Sequence, residues 1–573
     1  MKTTAPCIFV LVMTTALLSW SAAQAPRPIP TLTVPTLVPL DEDQELPGAL
    51  ANESAVADII ANGVFKAGVL YNEPPYSEFT LQGDLRGFDI DLIRLIAETW
   101  GSEVEFVQVT RENALDKLNR GQVHAVAAAF VRYRDLDERV AFSHSYLRGR
   151  QAMMARADSP YESVRDLREH LVGYVVGTRT EKALSLWSAR LDSSLNLKYY
   201  LTLDRAFAAL AGGETEGLAA EEQKLLAVSQ EYADRVRILD DALVEEPRAF
   251  AVRRADGAMR QLLSHSIQLL AKDARLQALH REYFPEDEFP QDLIALWDGI
   301  GDELSPAQYA GERSDPSRYT LPHVLRAGVL RVGAVADDRA ISSSSRERLA
   351  ALNRALANEL GRRWGVSVEI GEVAAAAVQS LLASGELDIA IGLRPDWRLA
   401  AEMDFSAPYL LHGDRLMTPA NSRISGFNDL RGRILGVIIG DAGAQERAQA
   451  WADSINASVR FFRTSADGAA LNLLEFNNAH AIFADSLQLV PHLLASPSAL
   501  RLTDRWYSRS YYALGLPLAD VEFRLLVDYT LQELARDGTL WELSADFILA
   551  DEPPDFEIVP GASVFAGISL TGA

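Results

Sequence analysis

The sequence predicts an α/β protein built from two tandem copies of one unit, each copy folded as two α/β lobes. Three observations carry this reading. First, landmarks recur 263 or 264 residues apart: Trp100-Gly101 returns as Trp364-Gly365, a Leu-x-x-Gly-x-x turn ending at His124 returns ending at Asp388, and Phe142-Ser143…Tyr146 returns as Phe405-Ser406…Tyr409. Gly177 has its partner in Gly440, Glu221 in Asp485, and Ala271-Lys272-Asp273 in Ala535-Arg536-Asp537. A nearly constant offset over so long a series is the mark of a duplication. Second, short β-branched runs alternate with amphipathic stretches at helical spacing inside each copy. Third, 573 residues exceed what one hydrophobic core serves, and the pattern restarts within a copy after Tyr146, at Val172-Gly173-Tyr174-Val175-Val176.

Taken in order, the chain begins with Lys2, an apolar run from Ile8 to Trp20, and the small-x-small Ala23-Gln24-Ala25, the pattern of a secretory leader over residues 1–25. The apolar run is too short for a stable membrane span. Cys7, the only cysteine, precedes that run and leaves the exported chain without a thiol. Residues 26–53 are rich in proline and then acidic (Asp41-Glu42-Asp43), a composition that reads as an extended tether. The first copy spans 54–290, a connection rich in glycine and polar residues spans 291–318, the second copy spans 319–550, and 551–573 form a tail with no assigned fold.

In the first copy, Phe65–Leu70 reads as a strand, Ile90–Ala97 as a helix with one apolar face, Val104–Val109 as the next strand, Ala114–Asn119 as a helix ended by Gly121, and Ala125–Phe130 as a strand. With 48% apolar and 23% charged residues the chain is ordinary globular protein, while a formal charge of −24 argues against nucleic acid or an anionic membrane as partner. The nine histidines lack metal-ligand spacing, and neither a nucleophile elbow nor a phosphate loop is present. No metal or cofactor is expected.

The ordered series Pro74-Pro75-Tyr76, Gly87-Phe88-Asp89-Ile90-Asp91-Leu92, Leu118-x-x-Gly121, an arginine before Phe142-Ser143-x-x-Tyr146, Val175-Val176-Gly177-Thr178 and an acidic residue at 221 resembles the extracellular solute-binding proteins of family 3. These are polar amino-acid receptors of ATP-binding-cassette uptake systems, and the resemblance covers both copies. It implies two tandem periplasmic-binding-protein-like (type II) domains, each with a ligand cleft between two lobes joined by crossover strands, here near Leu147–Ala155 and Asp241–Val252. It also implies a small-molecule ligand, an amino acid, and a membrane permease as partner.

A zwitterionic ligand sets the site chemistry. Its carboxylate suits the fork of an arginine, for which Arg134 is the candidate, with Arg132 or a surface arginine paired to Asp135 or Glu138 as alternatives. Backbone N–H groups at Gly177-Thr178, and the Thr178 hydroxyl, offer a second anchor; a simple helix N-cap is the plain alternative. Glu221 matches the family's acceptor for the ligand ammonium, although it also opens the polar run Glu221-Glu222-Gln223. Tyr76 and Phe130 would supply aromatic walls. Asp89 and Asp91 complement the start of a helix.

In the second copy, Arg339-Ala340-Ile341 stand where the first has Pro-Pro-Tyr. Arg398 and Asp485 keep the places of Arg134 and Glu221, while Asp441 replaces Thr178 and would repel an anion. Trp397 offers either a replacement wall or core packing. This copy is expected to bind a different solute or none. The expectation for the whole chain is an exported, periplasmic or extracellular binding protein rather than an enzyme. A sensory or partner-recognition module is the alternative. A dehydratase of cyclohexadienyl acids, using Glu73, Glu78 or His144 as acid or base, is the enzymatic one.

Overall fold

The computed structural model describes residues 54–547 and 559–560, apart from 128–130, 192–194, 233, 286, 288, 291–292, 311–318, 336–342, 439–442, 465–468 and 477. The leader, the whole tether and most of the tail therefore lie outside the described residues, as do Phe130, Asp441 and Arg339-Ala340-Ile341.

Each copy is an α/β unit of two lobes. In the first, Val64–Val69 lies parallel between Glu103–Gln108 and Ala125–Val126. The helix Phe88–Trp100 buries Phe88, Ile90, Leu92, Ile93, Ile96 and Ala97 against this layer, the apolar face its spacing predicts. Val140–Arg156, a strand of 17 residues, is the first crossover. Its first part pairs antiparallel with the second crossover, Val244–Arg253, and its last part with Gly217–Glu221 of the second lobe. The crossovers thus fuse the sheets of both lobes into one of nine strands.

The second copy repeats the order but breaks that continuity. Its first crossover is divided into Met403–Phe405, Leu410–His412 and Asp414–Pro419, so that six strands and five form separate sheets. Pro408 falls in the first break and has no N–H to give a ladder. Gly413 stands in the second at φ 156°, and a Cβ there would lie 2.2 Å from the Ser508 carbonyl oxygen.

The scaffold hydrogen bonds themselves are duplicated. Trp100 Nε1 donates to Ser266 Oγ and Trp364 Nε1 to Thr530 Oγ1, each at 2.9 Å. The Phe250 N–H donates to Ser143 Oγ at 3.0 Å, and the Leu514 N–H to Ser406 Oγ at 2.9 Å. Asp256 and Asp520 cap the closing helices Gly257–Lys272 and Val521–Arg536. Each of these two carboxylates also accepts the first N–H of a second helix, from Ala55 and Thr320 respectively, at 2.7 Å.

The closing helices also carry the contact between the copies, and they do so reciprocally. Arg134 Nη2 of the first copy donates to Gln532, and its guanidinium lies 4.3 Å over the Tyr529 ring. Trp397 Nε1 of the second donates to Gln268, and its ring stacks on His265 with 4.3 Å between centroids and planes 2° apart. Gln268 and Gln532, like His265 and Tyr529, are 264 residues apart. The copies therefore meet as the halves of a two-fold dimer do. Trp297 from the connecting segment stacks on Trp397, and buried Asp404 takes Arg260 at 2.5 Å and Gln261 at 3.1 Å.

Burial of His265 pushes its imidazole down to about 4, and burial with Arg260, Arg132 and Arg524 pushes His144 down to about 3. Both rings are neutral in the fold, so the unfolded chain binds more protons as pH falls below 6.5. Their stabilisation is complete above that pH and is lost progressively as pH falls, toward pH 4 for His265 and pH 3 for His144. The melting temperature should fall over this window, and His265→Phe, followed by scanning calorimetry, should flatten the fall.

Candidate functional site

The first copy's lobes meet at a buried lattice of two carboxylates, two guanidinium groups and a phenol. Tyr76 comes from the first lobe. The Pro74–Pro75 peptide before it is cis, and the next turn holds it in place: the N–H groups of Phe88 and Asp89 donate to the carbonyls of Pro75 and Tyr76 at 3.0 Å. Gly87 makes this approach feasible, because it sits at φ 135° and an added Cβ would fall 2.3 Å from the Tyr76 carbonyl oxygen.

Glu221 comes from the other lobe, at the end of the buried strand Gly217–Glu221. Its Oε1 accepts from Tyr76 Oη at 2.9 Å, from Arg248 Nη2 at 2.7 Å and from Arg179 Nη2 at 3.0 Å. Arg248 rises from the second crossover, is 0% exposed, donates from Nη2 to Tyr76 Oη at 2.9 Å, and lies 3.9 Å from the centroid of the Tyr76 ring. Glu246, on the same crossover, accepts from Tyr133 Oη at 2.8 Å and Gln151 Nε2 at 3.0 Å, with Arg179 Nε at 3.5 Å. Thr180 Oγ1 donates to Gln151 at 2.9 Å, tying the second lobe's helix to the same network.

Electrostatics follow from this pairing. Burial alone would raise the Glu221 carboxyl, but Arg248 and Arg179, with Lys224 and the Tyr76 hydroxyl, bring it down to about 2. Burial raises the Tyr76 phenol, and the charge of Glu221 adds to that, so it stays protonated and serves as the donor to the carboxylate. Burial would lower Arg248, yet Tyr76, Glu221, Glu246 and Asp89 hold it above the ordinary guanidinium value. The lattice offers a polar solute an acceptor for cations, donors for anions and an aromatic face.

Of the residues the sequence singles out, Tyr76 and Glu221 are brought together. The others stand elsewhere. Arg134 turns away from the cleft in the short helical turn Arg134–Leu136, reaching Gln532 and Glu533 of the second copy. That contact, rather than a solute carboxylate, occupies its fork. The Gly177 N–H donates to the Glu181 carboxylate at 2.9 Å and the Thr178 hydroxyl to the Val175 carbonyl at 2.7 Å, so the chain itself caps this helix start. The turn that holds Arg134 recurs with its hydrogen bonds one residue earlier than expected, the Ala400 N–H to the Trp397 carbonyl matching the Asp137 N–H to the Arg134 carbonyl. Trp397 and not Arg398 therefore keeps the place of Arg134. Trp397 is packed between the copies, and Arg398, 74% exposed at its side chain, pairs with Asp396. Asp485 caps the helix Ser486–Ala495 and meets His412 Nδ1 at 2.8 Å.

Arg248, Arg179 and Glu246 escape sequence reasoning. The signal for two of them is present in Glu245-Glu246-Pro247-Arg248, a charged run leading into the apolar Phe250-Ala251-Val252 of a buried strand. In the second copy, Asp414 is 2% exposed and accepts from Arg447 Nε at 2.6 Å, Arg447 Nη2 at 2.8 Å and Ser508 Oγ at 2.9 Å. Its polar groups are therefore of another kind.

Two lobes on paired crossovers, with charged side chains from both converging at the joint, have the architecture of a two-lobed solute-binding protein. The chain belongs to the bacterial extracellular solute-binding proteins, family 3, which its residues 65–286 and 330–550 match. The ABC transporter glutamine-binding protein GlnH of Bacillus subtilis (strain 168) is 24% identical over 208 residues, 36% of this chain and 75% of that protein. The L-cystine-binding protein TcyJ of Escherichia coli (strain K12) is 20% identical over 241 residues, 42% of this chain and 89% of that one. Among solved structures, an ancestral arginine-binding protein bound to arginine aligns at 24% identity with 39% of this chain and 98% of its own, with a TM-score of 0.32. Among the described residues no helix is long and apolar enough to cross a membrane.

Gly87→Ala forces a side chain into the Tyr76 backbone and should lower stability by about 2–4 kcal/mol, read from urea unfolding of the full chain.

Proposed function

We propose that this chain is an exported receptor that captures an amino acid in the cleft of its first copy and delivers it to the permease of an ABC-type uptake system. The observation that carries this reading is the meeting of Tyr76 from one lobe with Glu221 and Arg179 from the other. A solute entering between open lobes exchanges ion pairs with the protein. Its ammonium takes a place on Glu221, and its carboxylate takes a guanidinium that Glu221 releases. Buried charges stay paired throughout, and contacts to both lobes favour the closed form that a permease distinguishes from the open one. The likeness to a glutamine-binding and an L-cystine-binding protein supports an amino acid as the class of solute. The leader-like residues 1–25 support export. The second copy, with Asp414 and Arg447 in place of this lattice, takes a solute of different chemistry or serves as scaffold.

Isothermal titration of the full chain with the common amino acids tests the reading. Saturable binding of at least one is expected, and Glu221→Gln should weaken it about 100-fold, the cost of removing one partner of a buried charged contact. Failure of every amino acid to bind would overturn it.

A further inference from the structure

A basic solute held in a protein cleft is met by an aromatic face, a carboxylate and a hydroxyl. In the first copy those three groups already surround a guanidinium, and it belongs to the chain. Arg248 lies 3.9 Å from the Tyr76 ring centroid, donates to the Tyr76 hydroxyl at 2.9 Å and to Glu221 at 2.7 Å, and is fully buried. We propose that Arg248 is an internal ligand that fills the cation subsite between Tyr76 and Glu221, and so turns this cleft against solutes with basic side chains.

Three further features support this role. The two crossover strands slip register between Arg248, paired with Leu147, and Ala249, paired with Ser145, and such an irregularity re-aims the side chain beside it. Arg248 also sits on the crossover rather than on a lobe loop, so it remains at the joint when the lobes part. The second copy keeps the strand without the device: the hydrogen bonds from the Phe250 and Leu514 N–H groups place Tyr512 at the corresponding position. The Tyr512 ring packs against His412 there, at 4.9 Å between centroids.

The inference rests on the first cleft being the solute site, and its test reads a different quantity. Arg248→Ala leaves a buried space beside Tyr76 and an under-compensated Glu221. Ethylguanidinium at about 10 mM, added to the full-chain variant, should raise its melting temperature by several degrees while leaving the wild type unchanged. Ethylurea, of the same shape without the charge, should do nothing, and Glu221→Gln combined with Arg248→Ala should abolish the rescue. No rescue, or equal shifts in variant and wild type, would overturn the proposal. Should Arg248→Ala accumulate unfolded, refolding yields in the two additives take the place of melting: a higher yield in ethylguanidinium supports the internal ligand, and equal yields overturn it. Rescue in a protein whose wild type binds no amino acid would leave the role of Arg248 standing and remove the amino-acid reading. Amino-acid binding without rescue would do the reverse.

Discussion

A charge taken out of water must be paired, and the first copy obeys that constraint at the joint between its lobes. Glu221 and Glu246 are buried carboxylates; Arg179 reaches both, and buried Arg248 pairs with Glu221. Their positions come from three separate parts of the chain, so the lattice forms only when the lobes and crossovers are all in place. Gly87 lets the Tyr76 loop settle on a helix start, Gln151 links Thr180 to Glu246, and the crossover pairing delivers Arg248. On the proposed function a solute here obeys the same rule, because it must leave every buried charge with a partner.

The two copies show which parts of the pattern belong to the scaffold. Trp100 with Ser266 and Trp364 with Thr530 make the same bond, as do Tyr146 with Asp89 and Tyr409 with Asn353. Capping carboxylates at Asp256 and Asp520 each serve two helix starts. At the clefts the correspondence ends. Where the first copy has Glu221 and Arg248 the second has Asp485, paired with His412, and Tyr512, and it carries a further pairing of Asp414 with Arg447. Packing is retained where a change would open a void or strand a polar group, and chemistry is altered where the lobes face each other.

Much of the fold was legible because periodicity and repeat spacing report on burial, which acts locally. The strand at Phe65 and the helix after Gly87 stand where the alternation of residue types puts them, and the crossover strands overlap the segments that the family resemblance implies. Tyr76 and Glu221 were legible because each closes a recognisable element: a proline-stiffened turn and a strand of small residues. Arg134 was not, because a side chain reaching a neighbouring copy and one reaching a solute look alike in one dimension; for Trp397 the packing alternative is the one that holds, against the other copy. Arg248 was hidden for another reason. Its direction depends on a slip in strand register, a property of two segments about 100 residues apart that neither one carries alone.

The reciprocal contact between the closing helices has an evolutionary consequence. In a dimer of identical chains, every substitution at a two-fold interface appears twice, so a change that suits one half-site is imposed on the other. Joining the copies in one polypeptide removes that restriction and also frees the association from dilution. The second copy presents Trp397 to His265 and the first presents Arg134 to Tyr529, an indole on an imidazole at one end and a guanidinium on a phenol at the other. The joint keeps the geometry of a symmetric pair while its two ends are written in different residues, and gene fusion is what permits each end to drift on its own.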